Sequence, residues 1–422
     1  MLPDLLAGVP DDPLVLDGGL STALEQQGAD LSGALWTARL LAAEPERIAA
    51  AHRAFFGAGA QVATAASYQA SVEGFVAAGW GPEEARRLVG RGVRIAREVR
   101  DELAEDRPGL LVAASVGPYG AYLADGSEYR GRYGVPAARL RDFHGRRLEL
   151  LAAAGPDLLA VETIPDADEA AVLVALLEEI GLPAWFSFSV LGATTCAGQP
   201  LADAYAVLAG SPAVVAAGVN CSDQVDVLDA VRTAVAVTGL PAVAYPNRGG
   251  SWDAGAKRWV YGDPLDLALV GDWLSAGVRL VGGCCGTGPA DVAALAQRVA
   301  GHDGVAAGEP GQQDERRDAP QPEAEPEQHQ QQVEPDDAVP PDHRGAPAHE
   351  EQGAERQLAR HQGQPPHLGR GHEDLAPAVA DEGQERVVGE GPVDLRVGRD
   401  QPEVDPAHDQ VEPSDDRAAE RG

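Results

Sequence analysis

Along the first 300 residues or so, short apolar runs alternate with longer stretches in which apolar positions recur every three or four residues. The runs have strand length: Leu14–Asp17, Gln61–Ser67, Leu110–Gly117, Leu158–Ile164, Trp185–Val190, Val214–Cys221, Ala242–Pro246 and Leu280–Cys284. The stretches between them have helical periodicity, as in Pro45–Phe56, Pro82–Leu103, Val135–Ala153, Ala167–Ile180, Gln224–Val237 and Pro289–Ala300. Pro82 and Pro289 each follow a glycine and suit a first helical position, where a missing N–H costs nothing. Eight strand–helix units in this length predict an α/β fold, a (β/α)8 barrel of the TIM type.

A doubly wound open sheet uses the same alternation and is the rival architecture. Closure is favoured because polar and cysteine residues gather at the ends of one run after another. Asp17, Ser67, Glu162, Cys221, Asn247, Cys284 and Cys285 all lie at or just past such an end, where a barrel assembles its active site. An open sheet would concentrate them at one switch point. The connection Gly117–Arg130 is the longest without helical periodicity, and its three tyrosines predict a lid.

Composition divides the chain near Gly301. Residues 302–422 contain no Phe, Trp, Tyr, Cys, Met, Ile, Lys, Asn or Thr. Such a segment cannot bury enough apolar surface to offset roughly 1–2 kcal/mol of backbone entropy per residue, so it is expected to be a disordered, acidic, Pro/Gln/Glu-rich tail. It carries 30 acidic residues against 11 arginines, and residues 1–301 are acidic as well. Neither half offers the basic face that nucleic acid requires. The tail's histidines, among them His329, His343 and His349, stand singly among polar residues and are read as solvated. The N-terminus lacks a basic, apolar leader, and no run approaches the roughly 18–20 apolar residues needed to cross a bilayer. A cytoplasmic protein without membrane contact is expected.

Four cysteines in 422 residues are no disulfide framework. Cys284 and Cys285 lie between glycines at the end of one apolar run, and Cys221 closes another in Gly218-Val219-Asn220-Cys221. Thiolates hold zinc at about 2.3 Å, and a catalytic zinc uses three protein ligands and leaves a fourth position open. A vicinal disulfide, isolated thiols or a closed zinc site are the other readings. Asp17 and Glu162, each at a run's end, fit a general acid/base pair, metal ligands or a clamp for an amino group. Three thiolates already fill the protein's share of an open zinc site, which leaves the carboxylates to the substrate and suits them to an α-ammonium group. Cys196 has no metal-ligand neighbour in sequence. His52 and His144, the barrel half's two histidines, are read as surface or packing residues.

Six motifs together carry a resemblance: Asp17-Gly18-Gly19, Ala66-Ser67-Tyr68-Gln69-Ala70, Ser115-Val116-Gly117-Pro118-Tyr119-Gly120, Val161-Glu162-Thr163, Gly218-Val219-Asn220-Cys221 and Gly282-Gly283-Cys284-Cys285-Gly286-Thr287. In order and spacing they are similar to the homocysteine S-methyltransferases over roughly residues 10–300. Gly117 to Gly131 and Trp185-Phe186-Ser187-Phe188 resemble the bacterial and plant type that uses S-methylmethionine. The resemblance implies a Zn²⁺-dependent barrel that moves a methyl group from a sulfonium donor, S-methylmethionine or S-adenosylmethionine, to homocysteine. It puts the zinc on Cys221, Cys284 and Cys285, the homocysteine amino group on Asp17 and Glu162, and aromatic pocket walls at Trp36 and Tyr68. Two departures leave those ligands intact: Gly250 stands where an acidic residue is common, and Gly288 where Thr or Ser is. The positive donor invites cation–π contacts, for which Tyr119, Tyr122 and Tyr245 are candidates. A betaine-dependent enzyme is the alternative, and a noncatalytic zinc or thiol protein a further one.

Overall fold

The structure, a computed structural model, describes residues 13–31, 36–253, 258–261 and 264–302. The expected tail lies outside the described residues from position 303 onward. Eight parallel strands, β1 (Leu14–Val15), β2 (Val62–Thr64), β3 (Leu111–Val116), β4 (Leu158–Ile164), β5 (Ala184–Phe188), β6 (Val214–Asn220), β7 (Ala242–Tyr245) and β8 (Val278–Val281), follow one another in the order β1-β8-β7-β6-β5-β4-β3-β2. A parallel bridge between Leu16 and Val62 joins β1 to β2 and closes the sheet. An open sheet would leave those two strands as edges, so the barrel is the architecture.

Side-chain parity, which alternates across a strand, sorts the strands into two cores. Leu14, Leu16, Val62, Ala113, Leu158, Ala160, Trp185, Ala216, Val243, Tyr245 and Leu280 fill the barrel. The alternate positions, including Val15, Val112, Leu159, Val161, Phe186 and Ala217, pack outward against the helices. Continuing the inward parity toward the C-terminal ends reaches Ser115 on β3, Glu162 on β4, Ser187 on β5 and Asn220 on β6, all buried. The interior therefore changes from an apolar plug to a polar layer along the same inward positions. Each large apolar side chain in the plug contributes about 1.5–3 kcal/mol by burial, which supports the polar layer above it.

The helix Ala167–Ile180 has the predicted bounds, and its caps explain them. Asp166 at the N-cap accepts from the Asp168 N–H, worth about 1 kcal/mol, and Gly181 ends the helix at φ 73°. The predicted Pro82–Leu103 helix divides into Pro82–Val89 and Arg91–Leu103. Gly90 lies between them, where a Cβ would come 3.1 Å from that of Ala154. Strand β8 begins two residues before the expected run because Arg279 points outward between buried Val278 and Leu280, hiding the start from an apolar count. The Gly117–Arg130 connection also differs from expectation, containing a helix at Tyr119–Leu123 and a 3-10 turn at Ser127–Tyr129.

Candidate metal and substrate site

Three chain segments meet at the C-terminal mouth. Cys221 follows β6 with φ 48°, and its N–H donates to Tyr245 O on β7 at 3.2 Å. Cys284 N–H donates to Pro246 O at 2.8 Å, and Cys285 N–H to Asn247 Oδ1 at 3.1 Å. The exit from β7 thus forms a bridge between the two cysteine loops. Bonds from Asn247 N–H to Ser222 O and from Arg248 N–H to Cys285 O, each 2.9 Å, complete it.

The Sγ atoms of Cys221, Cys284 and Cys285 all lie within 4.8 Å of one another, with Cys221 and Cys285 3.8 Å apart. Thiolates about 2.3 Å from a tetrahedral ion would stand about 3.8 Å apart, so the cluster fits a metal of that kind. Its own chemistry agrees: proton sharing with Cys221, reinforced by burial, pushes Cys284 and Cys285 well above the usual thiol range. Three thiolates do not sit side by side without a cation among them. Tyr129, from the 3-10 turn, brings its hydroxyl to 3.4 Å from Cys221 Sγ. Cys196 lies outside this cluster, and burial pushes its thiol up to about 12.

The first turn interlocks with the last. Gly19 N–H donates to Thr287 O at 2.9 Å, Gly283 N–H to Asp17 O at 3.3 Å, and Gly286 N–H to Thr22 Oγ1 at 3.0 Å. The approach is so close that a Cβ on Gly19 would lie 2.6 Å from Cys284 O. Asp17 is buried, with Thr64 N–H at 2.7 Å and Thr64 Oγ1 at 2.8 Å from its two oxygens. Burial pushes its carboxyl up to about 8, with Glu162 adding and the Thr64 bonds opposing. Glu162 accepts from Ser115 Oγ and from Tyr245 OH at 3.1 Å. Burial pushes it up to about 7.

Glu162 owes its position to a bulge. The β4–β5 register shifts between Val161 and Ile164, and Thr163 takes φ 60°, an outlier for a β-branched residue. Asn220 holds it there: Oδ1 accepts from Thr163 N–H at 2.7 Å and from Ser187 Oγ at 2.8 Å, while Nδ2 donates to Thr163 Oγ1 at 2.8 Å. One amide thereby fixes the residues next to both Glu162 and Cys221.

The other expected site residues divide. Tyr68 stands near the charges of Glu128, Cys221 and Glu162, which reinforce burial in holding its phenol high. Tyr245 points into the barrel, where its hydroxyl meets Glu162, Trp185 Nε1 at 2.8 Å and Ser187 Oγ at 2.9 Å. The inward parity of β7 makes it a support for Glu162. Tyr119 and Tyr122 instead pack with Tyr133 and Phe143, because the short Tyr119–Leu123 helix turns them toward the helix Ala137–Ala153. The Tyr119 face already carries Arg139 at 5.8 Å from the ring centroid. The side chain of Trp36 lies outside the described residues.

His52 and His144 are fully buried, so the packing half of their expected role holds and the surface half does not. His144 Nε2 lies 2.9 Å from Glu169 Oε1. Glu169 also receives Tyr119 N–H at 2.6 Å and Tyr133 OH at 2.9 Å, and so fastens both sides of the Tyr129 connection. Buried Arg147 donates to Gly117 O at 2.9 Å, Ser67 O at 2.6 Å and Tyr68 O, tying the exits of β2 and β3. Among the residues missed from sequence, Ser115, Ser187 and Asn220 carried a signal, their inward parity. Glu128, Tyr129, Glu169 and Arg147 carried none as individuals.

Fold and site define a TIM-barrel protein with a three-thiol cluster able to hold a metal beside two buried carboxyls. The homocysteine S-methyltransferase family model matches residues 14–299. The chain is 46% identical over 303 residues to homocysteine S-methyltransferase 4 of Zea mays, covering 68% of this chain and 89% of that protein. It is 44% identical over 295 residues to homocysteine S-methyltransferase of Escherichia coli, covering 68% and 95%. The crystal structure of the metallated form of the Escherichia coli homocysteine methyltransferase MmuM superposes with a TM-score of 0.64 at 42% identity, over 70% of this chain and 99% of that one. The chain belongs to the homocysteine S-methyltransferase family of enzymes.

Proposed function

We propose that residues 1–301 transfer a methyl group from a sulfonium donor, S-methylmethionine or S-adenosylmethionine, to the sulfur of homocysteine, forming methionine. The observation that carries this reading is the convergence of three Sγ atoms within 4.8 Å at the mouth where Asp17 and Glu162 are buried. Cys221, Cys284 and Cys285 would hold Zn²⁺, which supplies the charge that keeps an acceptor thiol ionised at neutral pH. Asp17 and Glu162 receive the acceptor's α-ammonium, whose charge draws them from protonated to ionised. Their own partners, Thr64, Ser115 and Tyr245, fix where that ammonium sits. Tyr68 forms part of the wall between the carboxyls and Cys221.

In the transfer, a lone pair of the acceptor sulfur forms the new S–CH₃ bond. The pair of the donor's S–CH₃ bond returns to the donor sulfur, and the acceptor's thiol proton has left on ionisation. Positive charge on the donor and negative charge on the acceptor disappear together, so a site that excludes water favours the transition state over the separated charges. No proton moves in the transfer step itself, consistent with the burial of both barrel-half histidines. The reading also places the enzyme in a reducing compartment such as the cytoplasm, where the thiols remain available. Among the described residues no helix is long and apolar enough to cross a membrane.

The test pairs metal analysis with turnover. The full chain is expected to carry zinc and to methylate homocysteine with S-methylmethionine or S-adenosylmethionine in preference to betaine, and Cys221→Ala to lose metal and turnover together. Turnover that survives Cys221→Ala in metal-free protein would remove the mechanism.

A further inference from the structure

Glu128 is the middle residue of the 3-10 turn Ser127–Tyr129. It is 2% exposed, and its Oε2 has no hydrogen-bond partner. Ser127 Oγ, on the same turn, also lacks a partner. Leaving a buried acceptor unsatisfied is costly, and buried polar groups in folded proteins are nearly always paired. These oxygens are short of donors.

The turn that holds them is tightly built. Arg130 N–H and Gly131 N–H both donate to Ser127 O, at 3.0 and 2.9 Å, and Ser127 N–H donates to Asp125 Oδ1 at 2.9 Å. Gly120 packs so close that a Cβ there would come 2.6 Å from the Ser127 carbonyl carbon. The carboxylate therefore has little freedom to leave for solvent. It also belongs to the reaction site: the next residue, Tyr129, touches Cys221, and the charge of Glu128 acts on both Tyr68 and Tyr129. Burial, opposed by the residue's own backbone N–H and by exposed Arg130 and reinforced by Asp125 and Cys221, pushes the Glu128 carboxyl up to about 7. Asp17 and Glu162 differ from it, since Thr64, Ser115 and Tyr245 already donate to them.

We propose that Glu128 receives the α-ammonium group of the methyl donor. This assignment rests on the methyl-transfer reading and adds a donor-binding residue to it. An ammonium brings charged N–H donors, which the unpartnered Oε2 of Glu128 lacks. A sulfonium centre or the quaternary nitrogen of betaine brings none and would leave that oxygen unsatisfied. The site then treats its two amino acids separately: the acceptor's ammonium at Asp17 and Glu162, the donor's at Glu128, next to the Tyr129 that touches Cys221.

The test is titration calorimetry on the full-length, zinc-loaded protein and its Glu128→Gln variant, with three ligands: S-methylmethionine, its desamino analogue with the sulfonium intact, and homocysteine. Replacing the carboxylate by an isosteric amide is expected to weaken S-methylmethionine by roughly 10- to 100-fold, the range for a hydrogen bond to a charged group. The desamino analogue and homocysteine should bind both proteins alike, homocysteine also reporting that the variant is folded. In turnover, KM for S-methylmethionine should rise while kcat at saturation is held. Unchanged S-methylmethionine affinity overturns the assignment, as does equal weakening of either comparison ligand. Wild-type protein that binds S-methylmethionine through Glu128 but transfers no methyl group would sink the methyl-transfer reading and leave the ammonium site standing. Wild-type turnover matched by the variant at low donor concentration would do the reverse.

Discussion

Replacing Asn220 tests whether one buried amide holds the metal and acceptor halves of the site together. Asn220→Ala removes the acceptor of the Thr163 N–H bond at 2.7 Å and the donor to Thr163 Oγ1 at 2.8 Å. Ser187 keeps its contact with Tyr245 OH at 2.9 Å, so the main cost falls on Thr163. One orphaned buried N–H costs about 1–3 kcal/mol, and the small void left by the amide brings the expected loss to about 2–4 kcal/mol. Part of that is returned if Thr163 relaxes from φ 60°, but relaxation moves Glu162. Zinc affinity should fall by roughly 10- to 100-fold, the usual effect of removing a group that orients a ligand, and homocysteine affinity should fall with it. Urea unfolding, competition with a chromophoric chelator and calorimetry read the three quantities. Asn220→Asp separates hydrogen bonding from charge, because its carboxyl keeps the acceptor for Thr163 and can receive the Thr163 hydroxyl. Its folded-state pKa should be raised by burial, so it should resemble wild type in acid and lose stability as pH rises. Asn220→Ala with unchanged stability, zinc affinity and homocysteine affinity would refute the reasoning. So would an aspartate variant that matches the alanine variant at every pH.

Glu169→Gln should loosen the Tyr129 connection, since an amide cannot accept from Tyr119 N–H, Tyr133 OH and His144 as a carboxylate does. About 1–3 kcal/mol of stability should go for the donor left unpaired. Donor KM should rise while the zinc content stays constant, and a variant that loses its zinc instead would contradict this role. A pH test addresses Asp17, whose carboxyl is raised by burial from the ordinary 3.8 to about 8 in the folded protein. The folded state holds that proton more tightly, so its stabilising contribution is full below 3.8 and is lost as pH rises through 8. The melting temperature of metal-free wild type should therefore fall more steeply across that window than that of Asp17→Asn, and parallel curves would show that Asp17 does not titrate there.

The barrel was legible because its signal is repeated. Each predicted apolar run overlaps a strand, and β4 and the helix Ala167–Ile180 have the predicted bounds. Residues at the run ends were legible for a related reason: a (β/α)8 chain brings successive C-terminal strand ends to one mouth, whatever their separation in sequence. The same logic reaches Ser115, Ser187 and Asn220 when inward parity is counted from Ala113, Trp185 and Ala216. It stops at the connections. Tyr119, Tyr122 and Tyr129 share one segment, yet helix geometry turns the first two toward Phe143 and the 3-10 turn delivers the third to Cys221. Nothing in residue type separates them. Glu169 and Arg147 are similarly silent, since a charged residue on an amphipathic helix ordinarily faces water and only the finished fold shows these two to be buried.

The placement of the cysteines follows from this geometry more than from the loops that bear them. Cys284 and Cys285 are positioned by carbonyl and amide groups of Pro246 and Asn247, and the turn before them by Asp17 O. Cys221 is positioned by Tyr245 O, and Tyr245 in turn donates to Glu162. A displacement at Glu162 is therefore carried to the thiols through the buried Tyr245 side chain and the backbone and amide hydrogen bonds that hold the cysteines. The strain at Thr163 and Cys221, both at positive φ, lies on either side of this shared framework. Such strain, about 1–3 kcal/mol per residue, persists only where the surroundings over-determine it. Here the surroundings are the opposite half of the site: Asn220 beside Cys221 holds Thr163, and Tyr245, whose hydroxyl meets Glu162, holds Cys221 by its carbonyl. The buried carboxyls and the three-thiol cluster are thus built as one unit, so under the proposed function a substitution at the interior of either half should be read out in both the metal and the homocysteine affinity.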